Sequence, residues 1–255
     1  MNDHVTSPLY CKVALVTGGA GGIGAAICTE LARHGATVVV GYNRSAERAL
    51  ALAASLPTAR ARHAALPAPV TDSAALHRLA TAIGERYGRC DILVNCAGTT
   101  SFVAHADLDG LDDGLIDSVL ATNVRGPFAA VRALRPLLAA GGDGLVVNVS
   151  SIAAVTAMGS NVMYCASKAA VDNMTKSLAR ALAPAIRVVS VSPGLSDTDF
   201  VKSMAPEWHD EQARRTPLQR LADPREVALA VVALTTHLPF TTGAVIPVDG
   251  GRPLQ

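Results

Sequence analysis

The sequence predicts a doubly wound α/β fold, a parallel sheet of about seven strands with helices on both faces. Short runs rich in valine and isoleucine recur along the 255 residues, and each run is apolar at consecutive positions. Strands have this pattern when helices cover both faces of a parallel sheet. Segments with apolar residues at three- and four-residue spacing separate the runs, as expected for amphipathic helices. This alternation extends over the whole chain and therefore favours an α/β architecture.

Six runs are predicted to be strands, because they are too short for most helices and rich in β-branched residues. In chain order they cover residues 13–16, 38–40, 92–94, 145–147, 188–191 and 245–246. A weaker candidate, residues 62–66, lies between the second and third runs and brings the sheet to seven strands.

The intervening segments are predicted to be helices from their apolar spacing. They cover residues 23–34, 46–54, 73–87, 112–123, 127–140, 163–183 and 224–235. Ser45 and Asp72 each precede one of these segments, and Asp223 is followed by Pro224, as is typical of helix N-termini.

Residues 1–255 are predicted to form one domain, because no low-complexity linker divides the chain and no internal repeat is visible. Residues 195–222 interrupt the alternation between the sixth strand and the last long helix, and they carry two prolines, a tryptophan and many charges. Long structured connections in compact domains are often lids or binding loops. We therefore expect this segment to be a substrate-binding lid, with a plain surface insertion as the alternative.

The charge balance argues against two classes of partner. Lys and Arg number 22 against 21 Asp and Glu, so the net charge of +1 gives no general attraction to nucleic acid or an anionic membrane surface. The charge-free stretch 13–29 contains five glycines and is shorter than the roughly 20 residues that a membrane span needs. We expect neither a membrane segment nor a secretory signal.

The cysteines indicate a reducing compartment. The chain has an odd number of them, with no CxxC pair and no Cys/His ligand spacing, at Cys11, Cys28, Cys90, Cys96 and Cys165. We therefore expect a cytoplasmic protein without a metal site.

A glycine-rich loop follows the first predicted strand and opens the first helix, with the sequence Thr17-Gly18-Gly19-Ala20-Gly21-Gly22-Ile23-Gly24. Such a loop lets the backbone approach a pyrophosphate without a Cβ in the way, and the helix N-terminus adds free N–H groups and its positive dipole end. A plain strand-to-helix turn is the alternative, but the position near the chain start favours a dinucleotide. The candidate cofactor-binding residues here are Gly18, Gly22, Ile23 and Gly24.

The end of the second strand indicates which dinucleotide is bound. An acidic residue there accepts from the ribose 2′-hydroxyl of NAD, whereas a basic residue pairs with the 2′-phosphate of NADP. This chain has Gly41-Tyr42-Asn43-Arg44 and no acid before Glu47. Asn43 and Arg44 therefore favour NADP, with NAD still possible because Arg44 could instead only begin a helix.

Tyr164 and Lys168 are one helical turn apart and share a face of their predicted helix. A phenol with a pKa of about 10 exchanges protons poorly near neutrality, but a nearby ammonium stabilises the phenolate. A surface Tyr/Lys pair is the alternative. Ser150 and Ser151 follow a predicted strand at the sheet edge where ligands bind in such folds, so a hydroxyl there could polarise a substrate carbonyl.

Together these motifs resemble the short form of the short-chain dehydrogenase/reductase family, from Lys12 to Gly251. The matching residues are the TGxxxGxG loop, the NxAG run at Asn95, Ala97 and Gly98, and a quartet formed by Asn123, Ser151, Tyr164 and Lys168. Pro193-Gly194, Thr198 and the ending 242–251 also match. The resemblance implies a Rossmann-type fold and an NAD(P)-dependent oxidoreductase that assembles as a homotetramer or a dimer.

The resemblance also implies a role for each matched residue. Tyr164 would be the acid in ketone reduction and the base in alcohol oxidation, and Lys168 would hydrogen-bond the nicotinamide ribose and lower the pKa of Tyr164. Ser151 would orient and polarise the substrate carbonyl, and Asn123 would hold a water that links Lys168 to solvent. The remaining cofactor-binding positions would be Asn95, Ala97, Gly98, Pro193, Gly194 and Thr198.

Two departures from the family pattern concern the cofactor side. Pro69 stands where many relatives have an Asp that contacts the adenine amino group, so adenine would be held by backbone or apolar contact. Cys96 replaces the usual second Asn of the NNAG motif, and its small size should be tolerated.

The sequence leaves the substrate open. The chain resembles both the 3-oxoacyl-[acyl-carrier-protein] reductases and the glucose or polyol dehydrogenases of the family, but residues 139–144 and 183–185 lack basic residues that would attract an acidic carrier protein. A small carbonyl or alcohol is therefore expected, with 3-oxoacyl-thioester reduction as the alternative. A non-catalytic dinucleotide-binding regulator is disfavoured, because all four positions of the quartet are present.

Overall fold

A seven-stranded parallel sheet forms the centre of the computed structural model, which describes residues 7–57, 59–198, 201 and 205–254. The strands are β1 (Val13–Thr17), β2 (Thr37–Tyr42), β3 (Ala64–Pro67), β4 (Ile92–Asn95), β5 (Gly144–Val149), β6 (Ile186–Pro193) and β7 (Val245–Val248). Their order is β3-β2-β1-β4-β5-β6-β7, and every adjacent pair is parallel. The chain therefore switches from one half of the sheet to the other between β1 and β4, where ligands bind in such folds. The predicted fold is confirmed.

Helices follow most of the strands, close to their predicted positions. They are α1 (Gly22–Arg33), α2 (Ala46–Ser55), α3 (Ser73–Tyr87), α4 (Asp113–Leu120), α5 (Gly126–Ala139), α6 (Ala153–Thr156), α7 (Val162–Leu182), α8 (Pro206–Arg214) and α9 (Pro224–Thr236). Asp72 accepts from the Ala75 amide at 3.0 Å, and Asp223 forms a reciprocal capping box with Glu226. Ser45 occupies the predicted N-cap position without a side-chain hydrogen bond to α2.

Both faces of the sheet are buried at its inner strands, which explains the consecutive apolar residues of those strands. Ala14 and Val16 of β1 pack in one core with α1 and α9, whereas Val13 and Leu15 pack in a second core with α3, α5 and α7. Neighbouring residues of a strand point to opposite faces. The sequence of a strand that is buried on both sides therefore does not alternate between apolar and polar residues.

The helical segments predicted at 112–123 and 127–140 are joined rather than separate. A π-helical turn, Ala121–Arg125, connects α4 directly to α5. Pro127 has no N–H to donate to the Asn123 carbonyl four residues earlier, so a regular α-helix cannot continue across this point. The wider turn keeps the chain helical and holds Asn123 in a buried position.

Helix α8 lies inside the segment 195–222 and was not predicted. Its sequence, PEWHDEQAR, has no apolar stripe, and the available signal was Pro206 at the first helical position. Residues 199, 200 and 202–204 of that segment lie outside the described residues.

The described part of the chain contains neither a membrane-spanning helix nor a cluster of metal ligands. No helix there has both the length and the apolar character that crossing a membrane requires. The same residues contain no group of three or more His, Cys, Asp or Glu side chains placed to hold a metal ion.

Candidate active site

The glycine loop between β1 and α1 is shaped by close backbone contacts. Gly18 and Gly22 have φ values of +65° and +46°, a region that side chains disfavour. A Cβ on Gly24 would lie 2.2 Å from the Gly18 carbonyl oxygen, whereas a Cβ on Gly21 would meet nothing within 4 Å. The loop is thus folded tightly on its protein side and open on its outer side. No acidic residue lies in the first turn of α1, so its N-terminus can accept an anion.

A cleft of about 800 Å³ runs along the carboxyl ends of the strands from this loop to Tyr164 and Lys168. The predicted residues that line it are Gly18, Ile23, Gly24, Asn43, Arg44, Ala97, Gly98, Ser151, Tyr164, Lys168, Pro193, Gly194 and Thr198. Three predicted residues, Gly22, Asn95 and Asn123, do not line the cleft and support its walls instead. The cleft has the length and the glycine floor that an extended dinucleotide would need.

One end of the cleft is basic. Arg44 lies before α2 and Arg48 lies in its first turns, and both line this end together with Ala68 and Val70. Sequence reasoning missed Arg48, although its four-residue spacing from Arg44 would place both on one side of a helix start. Among the described lining residues there is no carboxylate, so this end suits a phosphate group.

Ser151, Tyr164 and Lys168 meet at the other end of the cleft. Ser151 follows β5, and Tyr164 and Lys168 project from the first turns of α7. Lys168 Nζ lies 5.7 Å from the centroid of the Tyr164 ring and donates to the Val149 carbonyl oxygen at 2.8 Å. The hydroxyl of Ser151 hydrogen-bonds with the phenol of Tyr164. The three side chains therefore form one cluster that a substrate carbonyl could reach.

Burial dominates the protonation behaviour of this cluster. It raises the pKa of Tyr164, and the hydrogen bond with Ser151 only partly opposes the change. The resemblance implies that Lys168 lowers this pKa, but the causes of the shift in the structure are burial, Ser151 and Cys165, and Lys168 is not among them. Burial also lowers the pKa of Lys168 to about 8, against the opposing effects of Cys96 and Asp172.

Asn123 is buried in the π-helical turn and its side chain is fully engaged by the protein. Its Oδ1 accepts from the Thr99 amide at 2.9 Å, and its Nδ2 donates to the Thr99 carbonyl at 3.0 Å and to Ser167 Oγ at 3.1 Å. Ser167 Oγ in turn donates to the Tyr164 carbonyl at 2.7 Å. The side chain thus ties the loop after β4 to α7, and the Asn123 backbone carbonyl, to which Pro127 cannot donate, is an acceptor that a water could use.

Asn161 is a second positioning residue that sequence reasoning missed. Its Oδ1 accepts from the Tyr164 amide at 2.7 Å and caps α7, while its Nδ2 donates to Thr100 Oγ1 at 3.2 Å and to the Ser101 carbonyl at 2.8 Å. The signal was available, because an Asn three residues before the tyrosine is a typical N-cap. Asn161 therefore couples the start of the catalytic helix to the facing loop.

Asn95 supports the cleft from below. Its Nδ2 donates to Asn148 Oδ1 at 2.9 Å, and Thr17 Oγ1 accepts from the amides of Cys96 and Ala97 at 3.2 Å each. These bonds fix the turn after β4, so that the backbone from Cys96 to Gly98 faces the cleft.

Comparison with known proteins gives a consistent result. A family model described as enoyl-(acyl carrier protein) reductase matches residues 18–252. The chain is 40% identical to a putative ketoacyl reductase 2 of granaticin polyketide synthase from Streptomyces violaceoruber over 95% of this chain and 96% of that protein. It is 37% identical to D-threitol dehydrogenase from Mycolicibacterium smegmatis (96% and 94%) and 34% to a 3-oxoacyl-[acyl-carrier-protein] reductase from Thermotoga maritima (94% and 97%).

Solved structures also resemble this chain over nearly its whole length. A putative short-chain dehydrogenase/reductase from Burkholderia xenovorans superposes with a TM-score of 0.89 at 36% identity, covering 96% of this chain and 98% of that one. An active-site complex of RhlG with NADP from Pseudomonas aeruginosa gives a TM-score of 0.87 at 33% identity, with the same coverage.

Proposed function

The chain belongs to the short-chain dehydrogenase/reductase family and is an oxidoreductase acting on CH–OH or C=O groups, and from this premise we propose that it is an NADP-preferring enzyme for a small carbonyl or alcohol. The observation that carries the proposal is the single cleft that joins the glycine loop to Ser151, Tyr164 and Lys168. A site of this form brings a nucleotide and a proton-transfer group to the same substrate.

The residues present fit a nicotinamide dinucleotide. The loop from Gly18 to Gly24 leaves its outer side open at Gly21, and the α1 N-terminus offers its amides to a pyrophosphate. Pro193, Gly194 and Thr198 line the same cleft and would hold the nicotinamide and the pyrophosphate, with Thr198 lying beside Gly22 of the loop. When bound, the cofactor would supply or accept the hydride.

The preference for NADP rests on the basic end of the cleft. Arg44 and Arg48 would pair with a 2′-phosphate, and Asn43 would contribute a hydrogen bond. An NAD-selective site needs a carboxylate for the two ribose hydroxyls, and the described lining residues offer none. A related structure contains NADP, which agrees with this proposal.

The chain's own groups can complete carbonyl reduction. Ser151 would donate a hydrogen bond to the substrate oxygen, where negative charge develops, and Tyr164 would transfer its phenolic proton to that oxygen. Lys168, as an ammonium, would stabilise the phenolate that remains, and the Asn123 carbonyl would hold a water through which the proton is replaced. Alcohol oxidation would use the same groups in reverse, with Tyr164 as the base.

The substrate wall of the cleft includes residues from the segment 195–222. Leu195, Ser196, Thr198 and Val201 line it, which supports the proposal that this segment forms the substrate lid of a single domain. The five cysteines are all free, which agrees with the cytoplasmic location that we propose. A homotetramer or dimer is part of the same proposal.

A second substrate class has its own support. A relative at 40% identity is named a putative ketoacyl reductase, and this favours 3-oxoacyl-thioester reduction as the alternative. The lack of basic residues at 139–144 and 183–185 counts against an acidic carrier as the partner. A free or coenzyme-A-linked thioester would avoid that objection.

A cofactor-consumption screen tests the proposal. Purified protein is mixed with NADPH or NADH and a panel of ketones, sugars and 3-oxoacyl thioesters. Polyols are tested separately with the oxidised cofactors. We expect faster turnover with the phosphorylated cofactor and at least one small carbonyl or alcohol. Turnover only with thioesters would replace the first substrate class with the second, and nucleotide binding without any turnover would favour a regulator.

A further inference from the structure

Asp172 is a buried carboxylate on the catalytic helix that the proposed reaction does not use. It lies on α7 four residues after Lys168, so the two side chains share one face of the helix. Only 9% of Asp172 and 7% of Lys168 is exposed. Asp172 Oδ1 is buried without a hydrogen-bond partner, and the nearby Ser150 and Ser190 act to lower the pKa of this carboxyl.

Stability does not explain a carboxylate at this position. Burial raises the pKa of Asp172, which means that the fold disfavours its ionised form. A buried charge without full hydrogen bonding costs free energy, and a neutral side chain of the same size would avoid that cost. A buried titratable group next to a catalytic cluster is a candidate for a functional role.

The electrostatics of the cleft show what such a charge could do. Arg44, Arg48 and Lys168 line the cleft, and no carboxylate is among its described lining residues. The groups that favour the charged form of Lys168 are the Cys96 thiol and the Asp172 carboxylate. Since burial raises the pKa of Cys96 to about 11, the thiol is neutral near pH 7, which leaves the Asp172 carboxyl as the acidic group that can act on Lys168.

The contacts of Lys168 and Asp172 indicate that the carboxylate acts on the ammonium by electrostatic attraction over a distance. Lys168 Nζ donates to the Val149 carbonyl, which fixes the ammonium without neutralising it. The Ser150 hydroxyl donates to the Lys168 carbonyl at 3.5 Å, and Ser150 is also among the groups that lower the pKa of Asp172. Lys176, one turn further along α7, is the other cation that acts on Asp172.

We propose that Asp172 is a positioning residue whose carboxylate keeps Lys168 in its ammonium form over the working pH range of the enzyme. This deepens the proposed function and rests on it, because Lys168 must be charged to stabilise the Tyr164 phenolate. The carboxylate itself does not touch substrate or cofactor. It acts on the reaction through Lys168 from below the cleft.

Lysine NMR tests this directly. The chain has only four lysines, Lys12, Lys168, Lys176 and Lys202, so lysine labelled with ¹³C at Cε gives few signals to titrate. Loss of one signal in a Lys168→Met variant assigns the residue. We expect a pKa of about 8 in the wild-type protein and a value lower by about one pH unit in Asp172→Asn, because an opposing charge has been removed.

Two further variants separate charge from structure. Asp172→Ser also removes the carboxylate and should lower the Lys168 pKa in the same direction, which keeps the test open if Asp172→Asn does not fold. Ser190→Ala removes a hydrogen bond from the same buried cluster but keeps the carboxylate, so Lys168 should titrate near its wild-type value. An unchanged Lys168 pKa in both Asp172 variants, or an equal fall in Ser190→Ala, would overturn the proposal.

The pH profile of turnover gives the second readout. In Asp172→Asn the alkaline limb of kcat should move to lower pH by the same amount as the Lys168 pKa. An alkaline limb that stays at its wild-type position would also overturn the proposal. The NMR titration needs no substrate, so failure of the proposed function would appear as absent turnover while Lys168 still reports on Asp172.

Discussion

The buried ammonium of Lys168 should make the stability of the fold depend on pH. Burial lowers its pKa from 10.5 to about 8, so between these values the unfolded chain holds a proton that the folded protein has released. At about 1.4 kcal/mol per pH unit, the difference corresponds to about 3 kcal/mol. The free energy of unfolding of the wild type, relative to Lys168→Met, should therefore rise by up to about 3 kcal/mol across that range.

Urea unfolding at several pH values measures this difference. Both proteins are compared at one protein concentration, because association would add to the apparent stability. Taking the difference at each pH cancels the titration of groups that do not interact with Lys168 and the constant loss of the Lys168–Val149 hydrogen bond. Lys176→Met, which removes an exposed lysine from the same helix, is the control. A difference that stays level or falls with rising pH would refute the assigned pKa and its cause.

Three other predictions concern the cleft. Arg44→Asp should shift cofactor preference toward NADH by about tenfold or more, since it removes a charge-assisted contact worth about 1.4 kcal/mol or more. Unchanged selectivity in steady-state kinetics with both cofactors would contradict this. Gly24→Ala should lower Tm and weaken nucleotide binding because its Cβ would lie 2.2 Å from a carbonyl oxygen. Gly21→Ala has open space around its Cβ and should keep the wild-type Tm. Equal melting curves for the two variants would contradict the loop geometry. Asn161→Ala should lose about 1 kcal/mol of stability and much of kcat. Asn161→Asp keeps the cap of α7, so it should recover the stability but not the hydrogen bond to Thr100. Denaturation and kinetics of the two variants separate these effects.

The sheet could be predicted because its physical cause is local. Strands covered on both faces are apolar at most positions, and runs such as 13–16 and 145–147 show this directly. The glycine loop and the Tyr164–Lys168 spacing could likewise be predicted, since each depends on residues within one or two turns. Capping at Asp72 and Asp223 followed from the same local chemistry.

What the sequence did not reveal depends on register and on tertiary contact. Asn95, Asn148 and Ser190 lie side by side on β4, β5 and β6, and this polar row becomes visible only once the strands are aligned. Thr175 of α7 completes it by accepting from Asn148 Nδ2 at 2.8 Å. The π-helical turn at Asn123 was missed because Gly126-Pro127 is equally compatible with a break between two helices.

The electrostatic roles and pKa values of titratable groups also depend on tertiary contacts that the sequence does not reveal. In the sequence Asp172 is one of several polar residues of a predicted amphipathic helix, and only its burial beside Lys168 shows that it can act on the site. The raised pKa of Tyr164 was also beyond sequence reasoning, because it depends on how completely the ring is buried.

The central claim is that Tyr164 transfers the proton in an oxidoreductase reaction, and rapid mixing of Tyr164→Phe with NADPH and an accepted ketone tests it most directly. Removing the phenolic hydroxyl leaves the glycine loop and Arg44 untouched, so fluorescence titration should show nearly wild-type nucleotide binding. The rate of NADPH oxidation should fall by about 10²-fold or more, as expected when a general acid is lost. A variant that binds NADPH and oxidises it at the wild-type rate would contradict the account.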